Sequence, residues 1–407
     1  MRNTRVYFDY AASTPVDPRV EREMQPYFTA RFGNPGSLHS FGQAAILALD
    51  RSREVAARAV GAGFREVVFT GSATEANNMA LRGALGAFQN ERPECLRPRI
   101  VVSAIEHESI LETAADLARA GAEVVCVPVD GEGVVDLGKL AAALHEQTAV
   151  VSVMYANNEI GTVQPLLKVR RAVEEARRGR KYPLLHTDAA QAFQFLDCAA
   201  DRLGVDMMTL SAHKIYGPKG VGALYIRNHT PFLPATTGGG QEFGWRSGTE
   251  NVPLIAGFAK AVELALRVRV RECKRQSGLK KYFWERLRKI CPFVKQNGPP
   301  PRIYKVGGGS PPEGLACVPS ILSVSFMGYD AATLLQEFDL RGLAAGAGSA
   351  CRARQAQPSH VLRALGAPDE RVRGAIRFSF GRPTSRREID SALAIIKMAL
   401  KDASHKT

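Results

Sequence analysis

The chain has 407 residues, of which 45% are hydrophobic and 23% charged, a composition that excludes a disordered or fibrous protein. The length exceeds what one hydrophobic core usually serves, so one large and one smaller domain are expected. The formal net charge is +14, and seven scattered cysteines without a CxxC pair argue against a zinc ribbon or a thioredoxin-type site and fit a reducing compartment.

The opening segment, "MRNTRVYFDYAAS", lacks the apolar run of a signal peptide, and no long uncharged stretch suits a bilayer, so a cytoplasmic protein without membrane association is expected. From residue 64 to 227, β-branched runs alternate with amphipathic helical stretches. The strands predicted are "REVVFT" (65–70), "RIVVSA" (99–104), "EVVCVPV" (123–129), "AVVSVMY" (149–155), "PLLHT" (183–187), "MMTLS" (207–211) and "GALYIR" (222–227). Helical patterns such as "TEANNMALRGALGAF" (74–88) lie between them, which implies βαβ crossovers and a mainly parallel central sheet covered by helices. Ligands of such sheets sit at the carboxyl ends of the strands.

Polar residues able to do chemistry fall at those ends. "FTGSATEANN" (69–78) leaves a strand and opens a helix with Ser72 and Glu75 at capping-box spacing, a place where free N–H groups can hold phosphate. On its own that signal is weak, because many strand–helix junctions look alike. His107, in "SAIEHES", is by itself more often a helix-start residue than a catalyst; in this company it is a candidate to stack on a pyridine ring. Asn157, in "YANNEIG", can donate to a ring hydroxyl or to substrate. Asp188, in "HTDAAQ", either caps a helix or holds a protonated ring nitrogen, with Gln191 one turn on as a further donor. Lys214, in "SAHKIYGPKG", either points to solvent or is captured as an imine, and Ser211 and His213 beside it could bind phosphate oxygens. Phosphate loop, aspartate and lysine are, in that order, the three anchors of pyridoxal phosphate.

Arginine clusters at "RRGRK" (177–181) and "RVRVRECKR" (267–275) have helical spacing and no interleaved aromatics, so solvated helix faces are expected there, not a nucleic-acid groove. A helical pattern covers roughly 253–290 and a Pro/Gly-rich stretch at 296–314 reads as an exposed excursion. The strands "ILSVSF" (321–326) and "AIRFSF" (375–380) follow, then a closing helix with Ser385 and Glu388 as its capping box. The expected division is a large α/β domain at 15–255 and a smaller α+β domain from 1–14 and 256–407, carrying a cysteine-bearing loop at about 344–359.

Together these segments, with "YFDYAASTPVDPRV", "FGNPGS", "GGGQEFGWRSGTEN", "GSAC", "PSHVLRALG" and "IRFSFGR", resemble the cysteine desulfurases of the class V aminotransferase group, fold-type I pyridoxal-phosphate enzymes. The likeness covers nearly the whole chain and is similar to the subtype with the longer cysteine loop, as in iron–sulfur-cluster and nitrogen-fixation desulfurases. The resemblance implies that Lys214 forms an imine with pyridoxal 5'-phosphate, His107 stacks on its ring and moves protons, and Asp188 pairs with its nitrogen. Gln191 and Asn157 contact ring substituents; Ala73, Thr74, Ser211 and His213 bind phosphate, and Ala212 belongs to the same cofactor-binding set. Thr249 reaches the phosphate of a neighbouring subunit, which makes a homodimer, while Arg377 holds the substrate carboxylate with Asn34 and Asn157 near it. Cys351 would take sulfur from L-cysteine as a persulfide, leaving L-alanine, and deliver it to an acceptor such as an iron–sulfur scaffold or a tRNA-thiolation enzyme. Its surroundings, "AAGAGSACRARQAQPS", lack apolar periodicity, and Arg352 and Arg354 favour a thiolate with a depressed pKa.

The chain departs from the family pattern in places. Gly71 precedes Ser72 where the reverse order is usual, Gly346 and Ala347 stand before "GSAC", Arg352 and Gln357 replace a small hydroxyl residue and an acid, and the 296–319 region is longer. Two other functions are compatible with parts of this set. Another fold-type I enzyme, such as an aminotransferase or selenocysteine lyase, keeps Lys214 and Asp188 without needing Cys351. A non-catalytic basic scaffold has no need of any of the three.

Overall fold

After a short strand β1 (Val6–Tyr7), the anticipated β-branched runs form β2 (Val67–Thr70), β3 (Arg99–Ser103), β4 (Glu123–Val127), β5 (Thr148–Ser152), β6 (Leu184–Asp188), β7 (Met207–Ser211) and β8 (Gly222–Ile226). The structure is a computed structural model that describes residues 5–301, 316–348 and 358–403. The last seven strands pair in the order β2-β8-β7-β6-β5-β3-β4. β3 to β7 are parallel to one another, and β8 is antiparallel to both β7 and β2.

Every residue of β5, β6, β7 and β8 is buried, as expected of strands covered on both faces. Alternate side chains enter different cores. Val101, Val151, Leu185 and Met208 face the helices Ser40–Ala59 and Val252–Ile290, while Ile100, Val102, Val150, Leu184 and Met207 face Ala73–Glu91 and Glu108–Arg119. Because β7 and β8 are antiparallel they need no helical crossover, and the short connection between them is the turn that carries Lys214.

The remaining strands are β9 (Val294–Asn297), β10 (Ile321–Phe326), β11 (Leu343–Ala344) and β12 (Ala375–Ser379). β12, β10 and β9 make a three-stranded antiparallel sheet, and β11 pairs in parallel with β1. Phe283, Phe326, Phe338, Phe378 and Ile396 build the core beneath it, and Val6 and Phe8 from the start of the chain complete that core. The 39-residue helix Val252–Ile290 serves both cores, through Ile255 to Cys273 in the first and Phe283 and Leu287 in the second. The division expected after residue 255 therefore falls inside this helix. The capping box of the last helix is present: Ser385 Oγ accepts from Glu388 N, and Glu388 accepts from Ser385 N.

One expectation is corrected. Gln296 and Asn297, assigned to an exposed excursion, belong to β9, and Asn297 is 1% exposed. Its amide donates to Ser323 and Ser325 of β10 and accepts from Arg371. A strand held by polar cross-strand bonds has no apolar alternation to announce it. Among the described residues no helix is long and apolar enough to cross a membrane.

Candidate active site

The carboxyl ends of the parallel strands open on a cavity of about 230 Å³, whose walls include Thr74, His107, Asp188, Ser211, Lys214 and Arg377. One end is built like an anion cradle. Ser72 caps the helix Ala73–Glu91 by accepting from Glu75 N at 3.1 Å, and the first rung of that helix is Ala76 N to Ser72 O. The N–H groups of Ala73 and Thr74 lie ahead of that rung, at the positive end of the helix dipole. Glu75 reaches back to Gly71 N at 2.6 Å, one residue earlier than in a standard capping box, and is itself held by Arg246. A Cβ on Gly71 would lie 2.8 Å from the Glu75 carboxylate, which accounts for the unusual glycine-then-serine order. Gly222 in β8 lets that strand pass directly under the cradle, since a Cβ there would meet Ser72 and Ala73 backbone at 2.8 and 2.9 Å.

Asp188, at the end of β6, is buried and held at both oxygens: Oδ1 accepts from Ala190 N and Oδ2 from Asn77 Nδ2, each at 2.8 Å. Asn77 also donates to Ser109 Oγ, whose neighbour bonds lead to His107. His107 Nδ1 accepts from Ser109 N at 3.1 Å, which leaves Nε2 as the protonated nitrogen of the neutral ring. Burial holds the His107 pKa below its ordinary value; the Asp188 charge opposes this and Lys214 reinforces it. His213 is pushed down to about 4, chiefly by burial and then by Lys214 and Lys219.

Lys214 Nζ donates to the carbonyls of Ala11 and Ala12 at 2.7 and 2.9 Å, so the N-terminal segment forms part of the site. Gln191 lines the cavity, but its amide donates to the same Ala11 carbonyl. Asn157 is fully buried: its Oδ1 accepts from Glu159 N and Ile160 N, and its Nδ2 donates to Ile105 O and, more weakly, to the Met154 sulfur. Asn157 itself does not line the cavity, whereas Met154, Ala156 and Asn158 do. Ala212 does not line the cavity; its carbonyl accepts from Ile215 N and Gly217 N and shapes the turn.

Arg377 is supplied by β12 and is 2% exposed. Its Nη2 pairs with Asp9 at 2.7 Å, its Nη1 donates to Asn158 O at 2.8 Å, and its Nε is buried without a hydrogen-bond partner. Thr249 and Asn34 are not brought to this cavity. They are exposed and share a separate concavity with Tyr27 and Phe32. Cys351, Arg352, Arg354 and Gln357 lie outside the described residues. Sequence reasoning did not single out Asn77, Asp9 or Glu159; a fully buried asparagine inside a helix, as at Asn77, was the available signal for the first.

A lysine on the strand–turn beside a buried aspartate, with a helix N-terminus ready for phosphate, defines a fold-type I pyridoxal-phosphate enzyme. Residues 6–392 match the Aminotransferase class-V family. Cysteine desulfurase IscS of Dictyoglomus turgidum is 38% identical over 97% of this chain and 94% of its own length, and that of Clostridium botulinum (strain Hall) is 37% identical over 98% and 95%. A solved NifS-like protein superposes with a TM-score of 0.87 at 35% identity, covering 98% of this chain and all of the other. The structure of SspA in complex with cysteine matches with a TM-score of 0.76 at 32% identity, covering 92% and 98%. The chain belongs to the class-V aminotransferase family, among its cysteine desulfurases.

Its cofactor is pyridoxal 5'-phosphate. The residues present suit that group: the buried hydroxyl of Ser211 beside the cradle has no hydrogen-bond partner among the described residues, and an acid, a base and a lysine surround the same space.

Proposed function

We propose that this enzyme converts L-cysteine to L-alanine in the Lys214 cavity, and that Cys351 accepts the released sulfur as a persulfide and passes it on. The observation that carries this reading is that Lys214, His107, Asp188 and Arg377, from four separate segments, line one cavity.

When bound, the cofactor supplies an electron sink for negative charge developing at the substrate α-carbon. Ala73, Thr74 and Ser211 would hold its phosphate, Asp188 its ring nitrogen and Lys214 its aldehyde. Asn77 fixes the Asp188 carboxylate in position through a charge-assisted hydrogen bond. Arg377, which lines the cavity, orients the substrate carboxylate. Lys214, once displaced, and His107, kept neutral by burial, move protons at the α-carbon. The Cys351 thiolate then bonds to the substrate sulfur as the carbon–sulfur bond breaks. The bonding pair stays on carbon, and protonation there completes alanine.

The enzyme acts as a homodimer. Phe32 (66% exposed) lines a concavity with Asn34 and Thr249 and packs on the exposed Phe41 ring at 5.5 Å, an apolar patch that suits cover by a second copy and would carry Thr249 to the partner's phosphate. The acceptor is an iron–sulfur scaffold or a tRNA-thiolation enzyme in the cytoplasm, and the net charge of +14 favours acidic partners.

The test uses protein reconstituted with pyridoxal phosphate and supplied with sulfur-labelled L-cysteine. Alanine should appear, label should reside on Cys351, and Cys351→Ala should keep the cofactor absorbance while losing sulfur transfer. Borohydride reduction that leaves no pyridoxyl group on Lys214, or undiminished transfer by Cys351→Ala, would overturn the assignment.

A further inference from the structure

Glu159 is a buried carboxyl group that the chemistry above does not use. It follows Asn158, whose carbonyl holds Arg377, and its own N–H is bonded to Asn157 Oδ1 at 2.8 Å, so its backbone is fixed to the substrate-carboxylate side of the cavity. It is 2% exposed.

Its side chain meets two residues distant in sequence. Ser359 Oγ donates to Oε2 at 2.6 Å. Gly348 packs so closely that a Cβ there would lie 2.7 Å from the same oxygen and 3.2 Å from the carboxyl carbon. Gly348 has φ +84°, a second reason for glycine at this position. Ser359 in turn caps the helix His360–Ala364 by accepting from Leu362 N at 3.1 Å, which ties the contact to a regular element. Gly348 and Pro358 are the described residues on either side of 349–357, which contains Cys351, and Ser359 follows Pro358 directly.

Oε1 of Glu159 is buried and has no hydrogen-bond partner among the described residues. Burial raises the Glu159 pKa, against the opposing influence of Ser359, His360 and Arg377. A packing role alone would be filled as well by an apolar side chain. The carboxyl group instead lets one short side chain touch both flanks at once.

We propose that Glu159 is a positioning residue, joining both ends of the Cys351 segment to the Arg377 side of the cavity so that sulfur transfer depends on it while substrate binding does not. The inference rests on the assignment of Cys351 as sulfur acceptor. The physical basis is effective concentration: a tethered thiol samples a volume set by where its tether is fixed, and releasing the fixed points dilutes it.

The experiment compares Glu159→Ala, Glu159→Gln and Ser359→Ala in the full-length, cofactor-loaded protein, under single-turnover conditions with sulfur-labelled cysteine. Two signals are followed: the absorbance change on adding cysteine, which reports substrate engagement, and label on Cys351. In Glu159→Ala, labelling of Cys351 should slow by about tenfold or more while the cysteine dependence of the absorbance change stays within about twofold. Glu159→Gln, which keeps the shape and an acceptor oxygen for Ser359, should recover near-normal labelling. Ser359→Ala, which leaves the 157–162 turn untouched, should show the same selective slowing and decides the matter if Glu159→Ala does not fold. Normal labelling in these truncations, or equal loss of both signals, overturns the inference alone. A wild-type protein with no label on Cys351 overturns the acceptor assignment as well.

Discussion

Lys214 and Gln191 converge on one oxygen: the Ala11 carbonyl accepts from Lys214 Nζ at 2.7 Å and from Gln191 Nε2 at 2.9 Å. The N-terminal segment therefore acts as a cradle for both side chains, and Thr14 laces it further to the turn through His213 O and Tyr216 N. Lys214→Ala should leave no borohydride-stable adduct and no measurable alanine formation. Gln191→Ala should keep the adduct and weaken cofactor retention by about fivefold, the worth of one hydrogen bond of roughly 1 kcal/mol. Cofactor dissociation followed by absorbance checks both.

Asn77 and Asp188 are predicted to act as a unit. Asp188→Asn keeps the shape but removes the charge that a protonated ring nitrogen requires, so kcat should fall by about 100-fold or more, in the range of lost electrostatic stabilisation. Asn77→Ala leaves the carboxylate in place with one oxygen unheld, and should cost about tenfold, the equivalent of roughly 1.4 kcal/mol. The double variant should be no worse than Asp188→Asn alone, because Asn77 works through the aspartate.

Much of this arrangement was legible in the sequence because parallel strands buried on both faces are written as continuous β-branched runs, and their ends are where the polar residues stand. Asp188 closes β6, and Lys214 and His107 follow β7 and β3 by three and four residues. Asn77, Asp9 and Glu159 were not legible as partners, since each is defined by a contact with a residue far along the chain: Asp188, Arg377 and Ser359. β9 escaped for a different reason, because Asn297 is buried through hydrogen bonds and leaves no hydrophobic pattern.

Glu106 gives the stability a pH dependence. Burial pushes its carboxyl pKa up to about 8 from an ordinary 4.5, although Ser103 and Met154 N both donate to it. Between those values the folded protein keeps a proton that the unfolded chain has released, so Glu106 lowers stability as pH rises. His186, buried and pushed down to about 4, acts oppositely: its contribution is present above pH 6.5 and is lost as pH falls. The two offset each other below pH 6.5. From pH 6.5 to 8 only Glu106 titrates of the pair, and wild type should lose about 2 kcal/mol relative to Glu106→Gln in urea unfolding, at roughly 1.4 kcal/mol per pH unit. Equal slopes in the two proteins would disprove it.

The homodimer proposed above predicts that cofactor retention depends on assembly. Phe32→Glu places a charge on the exposed apolar patch and should shift the protein to monomer in light scattering at micromolar concentration. The monomer should lose pyridoxal phosphate faster than wild type, because Thr249 is then unable to reach a neighbouring cradle. Thr249→Ala should loosen the cofactor without dissociating the dimer, separating the contact from the interface.

Gly346 is the residue that permits the Asp9–Arg377 pair to sit where it does. It exchanges both backbone hydrogen bonds with Arg377, at 3.0 and 2.7 Å, and a Cβ on it would lie 2.7 Å from Asp9 Oδ1 and 3.0 Å from Arg377 Nη2. Both threatened atoms are ends of side chains, so a larger residue displaces them and the backbone survives. Gly346→Ser should therefore fold, keep its cofactor spectrum and bind cysteine more weakly, with KM raised about tenfold for a misplaced carboxylate contact of roughly 1.4 kcal/mol. The effect should vanish for a substrate analogue that lacks the carboxylate, whose binding does not call on Arg377. An unchanged KM would mean that the ion pair shifts without consequence, and that the guanidinium's orientation is fixed by Asn158 O alone.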